Sequence, residues 1–329
     1  MARNRRPLRS ISLNLKQGNN IDELRTPYRS KADAVTHELE DHCPARFKDV
    51  ARKNIRQVLE EHGTEKPTFV RTSTANDPAF LDDLQAIVCK NLYGVTLPKV
   101  QSEEDVQKCD YLLNLMEARA GLERGSICIL PLLETANGHR RAYEIASASE
   151  RVEYMISGTN TNGDPARSIG YQWTRECTET MYIRQKIVLD GRAAGMQWPI
   201  SCNWNAMDDL EGLENFLIQQ RHIGYFGSLC SAEPTYIDIV NRIFTPSQAE
   251  VDLWGEIVAL QEPYDDDVKI DGKWYVRNKL LWGKLRLELA AHFGVYPNTE
   301  NRKMKLEQVG GIGNAAEVES VGNQGSAGV

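Results

Sequence analysis

The sequence has no Cys-x-x-Cys pair, no apolar run of about 18 residues and no excess of positive charge, and each absence narrows its chemistry. A membrane-spanning helix needs about 20 predominantly apolar residues in a row, so no membrane span is expected. The start, Met1-Ala2-Arg3-Asn4-Arg5-Arg6-Pro7, is basic but lacks the apolar core of a secretory signal. Thirty-nine Lys and Arg against 46 Asp and Glu give a formal charge of −7. That balance disfavours nucleic acid as the main partner, because neutralising phosphates takes a cationic surface. The seven cysteines, at 43, 89, 109, 128, 177, 202 and 230, are scattered. They predict reduced thiols rather than a disulfide framework or a zinc site, and by default a cytoplasmic location. What is present, 41% hydrophobic and 26% charged residues, is ordinary for a soluble globular chain, and the length suits one large domain or two ordinary ones.

Short β-branched or apolar runs predict strands at 8–15, 34–39, 68–71, 95–100, 127–133 and 152–156, with weaker ones at 197–202 and 227–230. Segments of helical period separate them at 47–62, 79–92, 103–122, 139–149, 178–195 and 208–222. Pro44, Ser102-Glu103-Glu104-Asp105 and Met207-Asp208-Asp209 are helix-entry signals, the acidic ones favourable at a helix's positive end. About eight strands, each followed by a helix, point to an α/β (β/α)₈ TIM barrel or to a large doubly wound sheet. The length before Pro263 fits the about 250 residues of a barrel. After Pro263 the pattern changes to an acidic turn, Tyr264-Asp265-Asp266-Asp267, best read as solvated. A short hairpin bending at Asp271-Gly272 and a helix over 278–293 follow. The expected organisation is a barrel over 1–263, a C-terminal hairpin-and-helix extension over 264–309, and a mobile Gly-, Ala-, Ser- and Asn-rich tail over 310–329.

In such barrels chemistry gathers where the strands' carboxyl ends meet the following loops. Those ends carry Glu38-Leu39-Glu40-Asp41-His42, Arg71, Lys99, Glu134, Asp164 at the end of a long polar loop, Asn203, Asn205 and Glu233. Carboxylates gathered without His or Cys ligands favour a hard cation, Mg²⁺ or Mn²⁺, with water in the remaining positions. An arginine beside such an ion suits a carboxylate or ketone oxygen, because its planar fork donates two parallel bonds. One glutamate at a strand end is more often an ion-pair partner than a ligand; the joint placement on successive strands is what gives these residues a functional reading. His42 lies close to the mouth and is a candidate proton carrier, and His139 follows the Glu134 loop, but a loop histidine is usually just solvated.

The same residues carry a resemblance. Arg9-Ser10, Lys31-Ala32-Asp33-Ala34-Val35, Leu39-Glu40-Asp41, Val70-Arg71, Leu97-Pro98-Lys99-Val100 and Glu134-Thr135-Ala136 stand in the order found in citrate lyase β-subunit-like proteins of the HpcH/HpaI aldolase superfamily. Asp209-Leu210-Glu211-Gly212-Leu213 and the stretch from Ile239 to Ser247 extend the match, which spans roughly 8–262. The resemblance implies a Mg²⁺-dependent carbon–carbon lyase acting on a 3-hydroxy acyl thioester of malyl, citramalyl or citryl type, assembled as a homotrimer or homohexamer. Glu134 matches the first metal ligand, and Asp164 the second, since Asp164 to Gly170 keeps the family's six-residue step. Arg71 matches the arginine on the substrate's carbonyl or carboxylate. Glu40 and Asp41 match an acidic pair that orders water around the ion or orients Arg71. Coenzyme A, as part of the substrate, enters over the mouth, with Arg5, Arg6 and Arg9 as candidates for its phosphates. Two departures stand out. Ala232-Glu233-Pro234 replaces a His-Pro step, and Gly272-Lys273-Trp274-Tyr275-Val276 puts Val276 where many thioester lyases of the group carry an acid/base aspartate. The second keeps open an aldolase acting on a free 2-keto or 2-hydroxy acid without coenzyme A. A non-catalytic barrel subunit of a lyase assembly is the third reading.

Overall fold

The computed structural model describes residues 6–159, 162–264 and 266–298. Its first part is an alternation of parallel strands and helices: β1 Ser10–Leu13, α1 Ile21–Arg25, β2 Ala34–Glu38, α2 Lys48–His62, β3 Thr68–Arg71, α3 Ala79–Ile87, β4 Gly94–Leu97, α4 Glu103–Ala120 and β5 Cys128–Leu133. Two short helices follow, α5 Ala136–Arg140 and α6 Ala142–Ser147, then β6 Ile156–Ser157, α7 Asp164–Ile169, α8 Met181–Ala193, β7 Ile200–Ser201, α9 Leu210–Ile223, β8 Gly227–Ser231 and α10 Pro234–Phe244. The eight strands pair in the order β6-β5-β4-β3-β2-β1-β8-β7, all in parallel. The result is a nearly closed barrel with helices around it, as the alternation predicts.

Side chains on successive strand positions part to the two faces of the sheet. Phe69, Leu130, Ile156 and Leu229 pack in one apolar cluster, while their strand neighbours Val70 and Ile129 join a second with Ile55, Leu84, Val106 and Ile145 from the helices. Burial on both faces is why strands such as β5 read as unbroken apolar runs. In α2 the buried residues Ala51, Ile55, Val58 and Leu59 form one stripe. α4 opens on three acidic residues and stops at Gly121, whose φ of 66° is a left-handed helix end.

Several local expectations shift. The strand expected at 152–156 reduces to β6 and a single bridge between Val152 and Ile129. The helix expected at 139–149 starts earlier and breaks into α5 and α6, because the Thr135 hydroxyl accepts from Gly138 N–H and caps a new start. α7, inside the loop after β6, and α10 have no counterpart among the expected helices.

Compactness divides the chain into Met1–Phe244 and Thr245–Val329. The second unit holds α11 Gln248–Tyr264, the antiparallel pair β9 Val268–Ile270 and β10 Lys273–Tyr275, and α12 Lys279–His292. The hairpin bends where expected, with φ of 50° at Asp271 and 78° at Gly272, the positive pair that a tight two-residue turn requires. The tail at 310–329 lies outside the described residues. All seven cysteines are free and buried. Among the described residues no helix is long and apolar enough to cross a membrane.

One buried charge network ties α4 to the barrel wall. Arg151, 4% exposed, bonds Glu117 Oε1 at 2.7 Å, Asp110 Oδ1 at 2.6 Å, Asn114 Oδ1 at 2.8 Å and the Ile127 carbonyl at 2.8 Å. Glu117 is itself fully buried and also accepts from Gly125 and Ile127 N–H groups. Removing one partner of a buried pair strands the other charge, which costs about 3–5 kcal/mol. Arg151→Met is expected to lower unfolding free energy by about that amount in urea titrations; a loss below about 1 kcal/mol, the range of an exposed pair, would show that the network is dispensable.

Candidate active site

A cavity of about 280 Å³ opens at the carboxyl ends of the strands. Its floor is mostly apolar, with Leu13, Leu132, Ile156 and Leu229 beside Thr36, Thr96 and Cys202. Its rim carries Asp41, His42, Arg71, Glu134, Asp164, Asn203 and Asn205. Arg71, Glu134 and Asp164, separated by up to 93 positions in sequence, thus face one space. A parallel barrel does this by construction, since every strand delivers its last inward residue to the same end.

Arg71 ends β3 and is paired in register with Glu38 on β2 and Thr96 on β4. Glu38 is 2% exposed. Its Oε2 accepts from Arg71 Nε at 2.7 Å and lies 2.5 Å from Arg71 Nη2, and its Oε1 accepts from Glu40 N–H at 2.5 Å. The guanidinium is therefore gripped edge-on. Glu40 stands at 3.6 Å from Arg71 Nη2, and His42 Nδ1 accepts from the same nitrogen at 3.2 Å. The carboxylate hydrogen bond to Arg71 thus comes from Glu38, while Glu40 reaches the guanidinium only as a longer ion pair.

Glu40 and Asp41 instead hold Lys99. The Lys99 ammonium bonds Glu40 Oε1 at 2.5 Å and both Asp41 oxygens at 2.8 Å, and lies 3.4 Å from Asp164 Oδ2. Burial pushes the Glu40 carboxyl above its usual range despite the ammonium. For Asp41, burial acts the same way, but the Lys99 bonds outweigh it and the net shift is downward. Lys99 has φ of 51°, a left-handed conformation that is uncommon for a non-glycine residue. In that conformation its backbone N–H donates to Glu134 Oε2 at 3.2 Å, so a single residue touches Glu134 through its main chain and Asp164 through its tip.

Glu134 follows β5 and is 9% exposed. Burial, with the Glu40 charge adding to it, pushes its pKa up to about 7 against the opposing pull of Arg71 and Lys99. Gly158 crosses directly over it: a Cβ there would stand 3.1 Å from Glu134 Cγ and 3.5 Å from Pro165 Cγ. The glycine lets the β6 loop bring Asp164 beside Glu134. Asp164 Oδ1 accepts from Arg167 at 2.8 Å.

Around this centre Glu38, Glu40, Asp41, Glu134 and Asp164 face Arg71, Lys99 and Arg167, a formal deficit of two positive charges when all five carboxyls are ionised. Burial raises the Glu134 carboxyl against the pull of Arg71 and Lys99, which leaves its charged form the one a bound cation would most stabilise. Glu134 Oε1 has no protein donor among the described residues, and a free carboxylate oxygen in a region short of positive charge fits a hard divalent cation. No group of three or more His, Cys, Asp or Glu side chains able to hold a metal occurs among the described residues, so water would complete the coordination, as Mg²⁺ tolerates.

The other candidates fall elsewhere. His139 is buried, with Nδ1 2.7 Å from the Thr135 carbonyl and Nε2 2.7 Å from Ser157 Oγ; burial lowers its pKa, and it braces α5 against β6. Arg9 precedes β1, at the end of the barrel away from the cavity, where its N, Nε and Nη2 bond Asp33 at 2.7, 3.0 and 2.7 Å. Arg6 lies on the same side, its carbonyl accepting from Tyr154 O–H at 2.9 Å. Arg5 is outside the described residues. Arg6 and Arg9 are thus not brought to the mouth, because residues that precede a strand emerge at its opposite end. Conversely, Glu38 and Lys99 belong to the site more deeply than their positions suggested. The signal for Glu38 was present, since strand alternation gives it the same face as Thr36, but its partner depends on strand register.

Comparison with known proteins agrees with this architecture. Residues 16–231 match the family model described as HpcH/HpaI aldolase/citrate lyase. The chain is 30% identical over 235 residues to citrate lyase subunit beta of Escherichia coli strain K12, covering 70% of this chain and 75% of that one. It is 29% identical over 233 residues to a (3S)-malyl-CoA thioesterase of Cereibacter sphaeroides, again covering 70% and 75%. In fold it resembles the protein CitE from Mycobacterium tuberculosis, solved in complex with magnesium, acetoacetate and coenzyme A, with a TM-score of 0.63 at 20% identity over 86% of this chain and 97% of that one. The chain belongs to the HpcH/HpaI aldolase/citrate lyase family.

Proposed function

We propose that the protein is a Mg²⁺-dependent carbon–carbon lyase that cleaves a 3-hydroxy acyl-coenzyme A thioester of malyl, citramalyl or citryl type. The observation that carries this reading is the convergence of Arg71, Glu134 and Asp164 on one cavity whose carboxylates lack two compensating charges. The relatives' names point to thioester and citrate chemistry. Glu134 and Asp164 would hold the ion, Mn²⁺ being an alternative to Mg²⁺; when bound, it supplies a Lewis acid at the oxygen that must carry charge.

In the cleavage direction the substrate's 3-hydroxyl loses its proton to a base lining the cavity, a role we assign to His42 once its Nδ1 is released from Arg71. The oxygen's electron pair forms a carbonyl, the C2–C3 bond breaks, and its electrons pass into the enolate of the thioester fragment, which is then protonated at carbon. Arg71 stabilises the oxygen that bears developing charge, and because Glu38 fixes its plane beforehand little reorganisation is needed at the moment of reaction. Lys99 holds Glu40 and Asp41 in place, where they can order water at the ion. A scaffold subunit would have no use for a buried arginine aimed into a cavity beside two under-compensated carboxylates, since burying such charges costs several kcal/mol per ion on the order expected for proteins.

A second reading, an aldolase on a free 2-keto or 2-hydroxy acid, is favoured by one residue: Val276, just after β10, cannot transfer a proton where the resembling lyases carry aspartate. Coenzyme A at millimolar concentration should raise the melting temperature if the thioester reading is right; no shift would leave the free-acid reading in its place. A homotrimer or homohexamer goes with either reading, and the exposed Trp274, Leu281 and Trp282 of the second unit suit such an assembly.

Release of a carbonyl product from malyl- or citramalyl-coenzyme A should require Mg²⁺ and should fall by at least about a hundredfold in Glu134→Ala, in the range seen when one key electrostatic group is removed. Unchanged activity in that variant would contradict the metal role.

The titration of Glu134 offers an independent check. Its pKa is about 7 in the folded protein against 4.5 for the free group. A carboxyl raised on folding stabilises the folded state when protonated; that contribution is complete below about pH 4.5 and is lost as pH rises through about 7, a span worth up to about 3 kcal/mol. Glu134→Gln keeps the neutral form, so without metal the variant should melt higher than wild type at pH 8, and the difference should vanish near pH 4.5. Adding Mg²⁺ at pH 8 should raise the wild-type melting temperature and leave the variant's unmoved. Equal melting temperatures of the two metal-free proteins at pH 8 would remove the basis for an uncompensated Glu134.

A further inference from the structure

Both oxygens of Asp164 face positive side chains of the chain itself. Oδ1 accepts from Arg167 Nη2 at 2.8 Å, and Oδ2 lies 3.4 Å from Lys99 Nζ. Glu134 differs, because only its Oε2 has a protein donor, the Lys99 main-chain N–H. Of the two candidate ligands, one is open and the other is covered. The covering groups come from one side. Lys99 and Arg167 line a second cavity of about 330 Å³, together with Gln101, Asn137 and Ser168, and this cavity shares Glu134 and Asp164 with the one described above. Neither cation lines that first cavity.

The two cations are tethered differently. Arg167 stands three residues after Asp164 on α7, and its side chain is 81% exposed. An ion pair this open to water is weak and easily broken. The Lys99 side chain is 25% exposed, and it approaches Glu40 and Asp41 more closely than Asp164. Its main chain is fixed as well: the left-handed φ of 51° points the N–H at Glu134. The ammonium can therefore give up Asp164 without leaving Glu40 and Asp41, and its charge stays beside the site.

We propose that Lys99 and Arg167 are tethered counter-ions that compete with the divalent ion for Asp164 and so set how tightly the site holds it. This deepens the lyase reading and rests on it for the ion. Like charges repel, and a carboxylate oxygen engaged by a guanidinium or ammonium is less available to a hard cation that binds through oxygen. Binding of the ion releases Arg167 to solvent and withdraws Asp164 from Lys99. The Lys99 charge remains on Glu40 and Asp41 and keeps the ion exchangeable in a cluster of five carboxyls. A purely structural role predicts the opposite sign: a strut that holds the carboxylates in place would weaken ion binding when removed.

The test is calorimetric titration with Mg²⁺ of the full-length protein, freed of metal with EDTA, and of Lys99→Met, Lys99→Arg and Arg167→Gln. Methionine keeps an unbranched side chain and removes the charge. Lys99→Met should bind Mg²⁺ at least about tenfold more tightly than wild type, and Arg167→Gln about threefold more tightly, the smaller gain following from its exposure. Lys99→Arg retains the charge and should bind no more tightly than wild type. Equal or weaker binding in Lys99→Met or in Arg167→Gln, or tighter binding in Lys99→Arg, would overturn the proposal. Arg167 is a solvated side chain, so its variant keeps the fold and decides the matter even where Lys99→Met is unstable. Failure of the lyase reading would look different: the same ordering of Mg²⁺ affinities with no cleavage of malyl- or citramalyl-coenzyme A by wild type. Absence of Mg²⁺ binding by all four proteins would remove the ion and the proposal together.

Discussion

The bond between Glu38 and Arg71 organises the mouth of this barrel. Both side chains are withdrawn from water, and two charges taken into a low-dielectric wall recover their hydration only if the geometry is close and the leftover lone pairs are used. Here they are used: one Glu38 oxygen takes the guanidinium, and the other takes the Glu40 N–H. That second bond fixes the path of the chain as it leaves β2, so Glu40 and Asp41 turn toward Lys99. Lys99 in turn reaches Asp164 and, through its main chain, Glu134. An ion pair of this kind contributes little net stability; what it supplies is a single orientation for a cation that must meet a substrate.

This chain of contacts explains why some of the site was legible in the sequence and some was not. Glu134, Arg71 and Asp164 could be found because they end predicted strands or follow them in a polar loop, and parallel barrels send such positions to one rim. The alternation of apolar runs and helical segments is a strong periodic signal, and the eight strands it predicts all exist, though β6 and β7 shrink to two residues each. Which acid grips Arg71 depends instead on lateral register between β2 and β3. Glu38, Glu40 and Asp41 lie within four positions, and only the register that pairs Glu38 with Arg71 puts Glu38, rather than its neighbours, in hydrogen-bond reach of the guanidinium. Arg6 and Arg9 show the complementary limit. Their charge suits a phosphate, but a residue before β1 emerges at the wrong end of the barrel, where Arg9 finds Asp33.

α7 and the break between α5 and α6 escaped the periodic reading for a local reason. Both are helices of a turn or two, set by caps rather than by an apolar stripe: Thr135 accepts from Gly138 N–H, and α7 begins on Asp164-Pro165, with proline suited to a first helical turn. Their shortness is useful at this place. The Ser168 hydroxyl of α7 accepts from Ala136 N–H at 2.9 Å, so the loop that carries Asp164 is pinned to the start of α5, two residues beyond Glu134. The two carboxylates are thereby tied to each other through backbone elements rather than through a shared hydrogen bond, and Glu134 Oε1 is left without a protein donor among the described residues.

The distribution of polarity in the cavity then assigns its two ends different work. The rim is charged, short of positive charge, and carries groups whose pKa values are displaced in opposite directions: Glu134 and Glu40 upward, Asp41 downward. Such divergence among neighbouring carboxyls marks places where ions are handled. The floor is apolar apart from a thiol and two threonines. Charge is therefore handled at the rim, while the floor offers apolar surface to whatever part of a ligand reaches it. The leucines of that floor sit on three other strands, Leu13 on β1, Leu132 on β5 and Leu229 on β8, so the floor and the charged rim depend on different strand pairings, and only the rim depends on the register that places Glu38 beside Arg71.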